Sequence, residues 1–142
     1  MAATRESEPC GWWDSNVFGR CAADVFLVFD GWYGIVIDYK TGKPHNPRFG
    51  LDMQPVVNAK MAFDHFPELH TIDTAFVYMQ HNKTSRSTFT RSNVNIEFQP
   101  VGELLYKLQR SVENNNFPAR QNGLCRKHCA VTTCVHNGSF QG

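Results

Sequence analysis

The stretch Asp24–Tyr39, DVFLVFDGWYGIVIDY, limits what this chain can fold into more than any other segment. Five apolar residues run into Asp30-Gly31, and a second, mostly apolar run follows. Asp-Gly between two such runs marks a β-hairpin, because both central residues of a type I′ turn take φ > 0. A two-residue loop sets Phe29 opposite Trp32, Val28 opposite Tyr33, Leu27 opposite Gly34 and Phe26 opposite Ile35. One face then carries Val25, Leu27, Phe29, Trp32 and Val36, and the other carries Phe26, Val28, Tyr33, Ile35 and Ile37. Antiparallel strands with one wet face alternate apolar and polar residues, and this hairpin does not. Its expected place is therefore central in a sheet, with cover on both sides.

The remaining chain offers material for that cover. Asp52–Phe66 reads as a helix opened by Pro55 and stopped by Pro67. Thr71–Gln80 alternates as a strand, and Ser87–Thr90 and Val94–Phe98 read as two more, closed by Pro100. Val101, Leu104, Leu105, Leu108 and Val112 repeat at helical spacing, so Val101–Val112 is expected to cover one face of the hairpin. The adjacent Trp12 and Trp13 belong to a docked arm that either anchors in the core or presents a partner surface. Residues 1–9 are polar and small, the composition of a loose arm. The expectation is a single α+β domain over residues 1–142: an antiparallel sheet built on the central hairpin, one or two packed helices, and a Cys/His-rich C-terminal segment at 125–136.

Composition excludes several classes. The net charge is +1, with 42% hydrophobic and 19% charged residues, which is globular rather than disordered. No apolar run approaches the roughly 18 residues that span a bilayer, and the N-terminus lacks a hydrophobic signal segment. The expected setting is thus the reducing cytoplasm, where cysteines serve as thiols or metal ligands before disulfides. Neither a GxxxxGK[ST] loop nor a GxGxxG fingerprint occurs, which argues against those nucleotide chemistries. Paired carboxylates at glycosidase spacing are not evident either.

The segment Cys125-x-x-His128-Cys129-x4-Cys134-x-His136 is the densest set of metal-ligating residue types. Zinc prefers thiolate and imidazole nitrogen in a closed tetrahedron, so Cys125, Cys129 and Cys134 with His128 or His136 form a candidate structural zinc site. Against it, the spacing is not that of a standard finger, and buried free thiols are the competing reading. A cysteine hydrolase would instead need Cys125 or Cys129 beside an imidazole such as His45 or His70. For nucleic acid, Arg120, Arg126 and Lys127 head a set of basic residues that could meet phosphates, without any RNA-binding signature around them.

Two resemblances bear on function. DVFLVFDGWYGIV is similar to the first strands of the fold shared by lecithin-retinol acyltransferase relatives and the His-box/Asn-Cys proteins of some picornaviruses, which implies hydrolase chemistry. The chain departs from that pattern: Trp32-Tyr33-Gly34 stands where the family has its His, and Cys129 follows His128 instead of Asn. Separately, the chain opens Met-Ala-Ala-Thr-Arg and closes Ser139-Phe140-Gln141-Gly142. Gln-Gly resembles a junction cut by picornavirus 3C-type proteases, and the whole resembles a picornavirus leader protein of the kobuvirus kind. That resemblance implies a non-enzymatic or only sometimes proteolytic accessory, in the host-cell cytoplasm, that binds host proteins, antagonises host defence or aids replication and packaging, some relatives carrying a small zinc finger. The resulting expectation is a protein-interaction module with Trp12, Trp13, Trp32 and Tyr33 as its partner surface. Its partner is a host protein, with a second copy of the chain or RNA as further candidates. An RNA-binding accessory and a cysteine hydrolase are the alternatives.

Overall fold

Strands form where β-branched and aromatic residues are densest, and the sheet they build positions everything else. The computed structural model describes residues 1–44, 46 and 52–139. Its elements are β1 (Ala2–Ala3), β2 (Gly19–Arg20), β3 (Val25–Phe29), β4 (Tyr33–Lys40), α1 (Gln54–His65), β5 (Thr71–Tyr78), β6 (Lys83–Thr90) and α2 (Val94–Glu113). The chain divides into two compact units, Met1–Glu103 and Leu104–Gly142. The first contains a four-stranded sheet in the order β3-β4-β5-β6 and a small sheet of β1 with β2. The protein is α+β, with two helices and a mixed sheet.

The expected antiparallel sheet is corrected at one junction. β4 and β5 run parallel, from Tyr33↔Thr71 to Lys40↔Tyr78, while β3–β4 and β5–β6 are antiparallel. Helix α1 lies between β4 and β5 in the chain, and a crossover of that length returns the second strand in the same direction. The hairpin is also not central, because β3 is an edge strand.

The hairpin register differs from the sequence expectation by one residue. Asp30 and Gly31 do take positive φ, 50° and 73°, and Trp32 donates its N–H to Phe29 O at 3.2 Å. Pairing nevertheless begins Phe29↔Tyr33, followed by Val28↔Gly34 and Leu27↔Ile35. The cause lies in the next strand: Trp32 O accepts N–H groups from His70 at 2.7 Å and Thr71 at 3.3 Å, so Trp32 is held by the start of β5. One residue of slip moves side chains to the opposite face. Phe26, Gly34 and Val36 therefore share the inner face, while Val25, Leu27 and Phe29 share the outer face with Tyr33, Ile35 and Ile37.

The inner face is covered chiefly by α1, not by the helix expected to do so. Val36, Ile72 and Phe89 from the sheet meet Val56, Ala59, Ala62 and Phe63 of α1, with Leu69 and Val94 completing the core. Gly34 lets the core close in here: a Cβ would come within 3.3 Å of both Leu69 Cδ1 and a Phe26 ring carbon, so those side chains would have to give by a few tenths of an ångström. Arg91 closes the end of α1, donating from Nη2 to Phe66 O at 2.7 Å and Phe63 O at 3.2 Å, and from Nε to Leu69 O at 2.7 Å. A cation on the last carbonyls of a helix suits its dipole.

Residues 94–98, expected as a strand, open α2 instead. Asn93 organises that start: its side chain accepts Thr90 N–H at 2.8 Å, and its carbonyl accepts N–H groups from Ile96 and Glu97. Val94, Phe98 and Val101 then fall on one helical face against the core. Pro100 lies inside this helix rather than ending a strand. At the other end of the unit, the arm expected to be loose holds β1. Ala3 and Cys21 pack with Met61 of α1, and Ala2 donates its N–H to His65 Nε2 at 3.3 Å.

In the second unit, the end of α2 is followed by successive turns through Ser139. Asn137 is buried there and donates from Nδ2 to Cys129 O at 2.9 Å. Gly138 passes so close to Arg126 that a Cβ would stand 2.4 Å from its carbonyl oxygen.

Candidate interaction surface

Because the one-residue slip collects one set of hairpin side chains on the outer face, that face carries most of the sheet's exposed apolar side chains. Leu27 is 42% exposed, Phe29 45% and Tyr39 48%. Across β5 and β6 the same face turns polar, and its anchor is Asp73, which is 1% exposed. The Asp73 carboxylate accepts hydrogen bonds from the Tyr33 hydroxyl, from Arg86 Nη2 and, at 2.5 Å, from the Thr88 hydroxyl. Burial pushes the Asp73 carboxyl up, but the bonds from Arg86, Thr88 and Tyr33 together outweigh it and hold the group below its ordinary value. The bond to Asp73 likewise raises the Tyr33 phenol and keeps it neutral. The network fixes Tyr33 at the apolar–polar border, and it engages the guanidinium of Arg86 within the protein.

The four expected partner residues form two aromatic groups. Trp32 and Tyr33 sit at the hairpin turn, ring centroids 5.9 Å apart, and Phe29 adjoins Tyr33 at 6.0 Å. Trp12 and Trp13 meet edge to face at 6.4 Å on the arm, with the Arg20 guanidinium over both rings. Arg20 also donates from Nε to Trp12 O at 2.8 Å, so the indole pair is braced by a local cation. Trp13 is the most open aromatic of the four, 86% exposed, so the core-anchoring reading does not hold for it. The space beside Gly34 is taken by the protein's own Phe26, whose ring lies 4.8 Å from that of Phe66. Sequence reasoning missed Asp73, although an acid amid a strand's apolar residues is itself a signal.

The zinc expectation is overturned. Among the described residues no group of three or more His, Cys, Asp or Glu side chains comes together to hold a metal ion. Cys125, His128, Cys129, Cys134 and His136 all lie within the described residues, on successive turns. The turns satisfy themselves locally: the Cys125 sulfur bonds with Asn122 N–H at 3.3 Å, and the carbonyl of Cys134 accepts Asn137 N–H at 2.9 Å. The irregular spacing therefore gives a self-bonded coil rather than a tetrahedron.

The buried thiol of Cys21 has a structural role. Cys21 donates its thiol to Asn58 Oδ1 at 3.0 Å, and burial pushes that thiol up, the opposite of an activated nucleophile. His45, one imidazole considered for hydrolase chemistry, lies outside the described residues, as do Gln141 and Gly142. Arg120, Arg126 and Lys127 are exposed in the second unit. No helix among the described residues is long and apolar enough to cross a membrane. A small cleft of about 170 Å³ between the start of α1, β6 and the start of α2 has an apolar floor of Val56, Phe89 and Val101, with Asp52 and Glu97 at its rim. It is smaller than most small-molecule sites, roughly 300 Å³ and upward.

Fold and surface together define an α+β domain with a mixed sheet helix-covered on one side and part-apolar on the other. Comparison with protein-family models, with curated proteins and with solved structures finds no match.

Proposed function

We propose that the protein is a non-enzymatic protein-interaction module, a viral accessory of the leader type that engages host proteins in the cytoplasm. The observation that carries the interaction reading is the outer sheet face, where Leu27, Phe29 and Tyr39 stay between 42% and 48% exposed beside Trp32 and Tyr33. Grouped aromatics and aliphatics with a polar border are the composition of a recognition patch. The viral-leader element rests on the family resemblance alone. Affinity capture from host-cell lysate, with the eluted proteins identified by mass spectrometry, tests the interaction. Trp13→Ala and Trp32→Ala are expected to lose specific partners at least tenfold while keeping the wild-type circular dichroism spectrum. Identical capture by wild type and both variants would sink the assignment of these aromatics.

Exposed Arg120, Arg126 and Lys127 support a second reading, an RNA-binding accessory. None of them is in a salt bridge among the described residues. That reading requires binding to single-stranded RNA that weakens steeply with salt and drops when the three are replaced by alanine.

A further inference from the structure

We infer that the open edge of β3 is a strand-addition site for an extended peptide segment with a basic residue at each end of a short apolar stretch. This rests on the reading of the protein as an interaction module and names the chemistry of the partner.

β3 pairs with β4 along one side only, and no backbone hydrogen bond among the described residues uses its other side. About half the backbone donors and acceptors of such a strand point outward, where they template another strand. Edges are usually blunted by lysine, proline, a bulge or a covering loop. Val25–Phe29 contains neither lysine nor proline, and all five residues are apolar. An added strand would continue the rows on both faces, covering Leu27 and Phe29 on one and Val28, 43% exposed, on the other.

Charge selects the occupant. Asp24 and Asp30 flank the strand, both exposed, and neither is in a salt bridge among the described residues. Asp24 accepts the N–H of Tyr39 on β4 at 2.7 Å, so its carboxylate is held toward the paired side at the start of the strand and acts on an added strand through its charge. A second copy pairing antiparallel about Leu27 would set Asp24 opposite Asp30 of that copy, twice. Like charges directly across a strand pair destabilise it. The same two carboxylates attract a foreign strand with basic residues about six positions apart, a span of roughly 20 Å at strand rise. Main-chain bonds supply affinity in this mode, and side chains at alternate positions supply selectivity.

The test uses a fluorescein-labelled peptide, Lys-Thr-Val-Thr-Ile-Thr-Lys, with anisotropy for affinity and backbone amide shifts for location. The expected result is saturable binding with the largest shifts at Val25–Phe29. A glutamate-flanked analogue should bind at least tenfold more weakly at low salt, with the gap narrowing as salt rises. An analogue N-methylated along one edge should lose at least tenfold on either edge it presents to β3. Leu27→Lys should weaken the lysine peptide at least tenfold. Asp30→Asn, which keeps a residue suited to positive φ, should narrow the gap between the lysine and glutamate peptides. Equal binding of those two peptides, unchanged affinity on N-methylation of both edges, or shifts that avoid β3 would each overturn the proposal. So would a dimer built on β3 in solution. If the peptide fails while host partners are still captured through Trp13 or Trp32, the edge assignment alone falls. If neither peptide nor any specific partner binds, the interaction reading falls with it.

Discussion

β3 and β6 end the same sheet on opposite sides and are built from opposite materials. β6 reads Lys-Thr-Ser-Arg-Ser-Thr-Phe-Thr; its one large apolar residue, Phe89, turns inward to the core, and Arg86 and Thr88 bond to Asp73 of the neighbouring strand. Basic and hydroxyl side chains make an edge that another strand joins poorly. β3 reads Val-Phe-Leu-Val-Phe, yet among these residues only Phe26 packs against the main core. The apolarity of β6 thus serves the fold, whereas most of that of β3 exceeds what the core uses. The difference separates residues that hold the sheet together from residues that leave one edge available.

The largest expected effect breaks the β6 side of this contrast. Asp73→Ala removes the acceptor shared by Tyr33, Arg86 and Thr88. Losing the three hydrogen bonds that a buried carboxylate accepts, each contributing about 1 kcal/mol, is expected to lower stability by about 3 kcal/mol, read as a shift in urea midpoint. The same group sets an acid dependence. Its folded value is depressed, so its contribution is fully present above the ordinary carboxylate range and lost as pH falls through the depressed value. Urea midpoints should therefore fall on acidification below about pH 4, and Asp73→Asn should flatten that limb. The raised Tyr33 phenol acts at the other end: its contribution holds below about pH 10 and is lost as pH rises through the raised value. An acid limb unchanged by Asp73→Asn would show that β6 is held by its ladder alone.

Gly34→Val comes next, and it tests why β3 lies where it does. The inner face of β4 has little room at this position, since Phe26 of β3 and Leu69 already crowd it. Overpacking there is expected to lower stability by about 2 kcal/mol. Gly34→Ala should be milder, because Phe26 and Leu69 need to give by only a few tenths of an ångström. Thermal melts of both variants rank them. If valine is tolerated as well as alanine, Phe26 is not the residue that pins β3 against the sheet.

Much of this was legible in the chain. The hairpin, helix α1 and strand β5 announce themselves by turn chemistry, Pro placement and alternation, and α1 as observed lies inside the expected Asp52–Phe66. Two errors had a common origin, the reading of local patterns without their neighbours. Asp-Gly favours a two-residue loop that sets Trp32 opposite Phe29, but β5 holds the Trp32 carbonyl and shifts the register. Val94, Ile96 and Phe98 fit a two-residue alternation, yet Asn93 starts a helix there and the core selects Val94, Phe98 and Val101. The parallel junction was readable in principle from the helix between β4 and β5. The zinc site failed for a third reason: residue types suited to a metal say nothing about whether turns bring their side chains together. The outer face follows from the register, so sequence found its residues but mixed the two sides.

The smallest effect on stability carries the sharpest test of the edges. Leu27→Lys places a charge on a half-exposed residue of β3 and gives that edge the device β6 already has. It should change folding stability by about 0.5 kcal/mol or less, because Leu27 is outside the main core cluster. Its effect on association should be far larger, once the flanking repulsion is removed. With Asp24 and Asp30 both replaced by Asn, the edge has lost the charges that oppose self-pairing, and light scattering should detect association at concentrations where the wild type stays monodisperse. Adding Leu27→Lys to that double variant should restore the wild-type scattering. Arg86 and Thr88 give β6 no comparable liability, so neutralising Lys83 to Gln should leave scattering unchanged. Association of the Lys83→Gln variant to the same extent would mean that the two edges differ in composition but not in availability, and the contrast between them would lose its meaning for function.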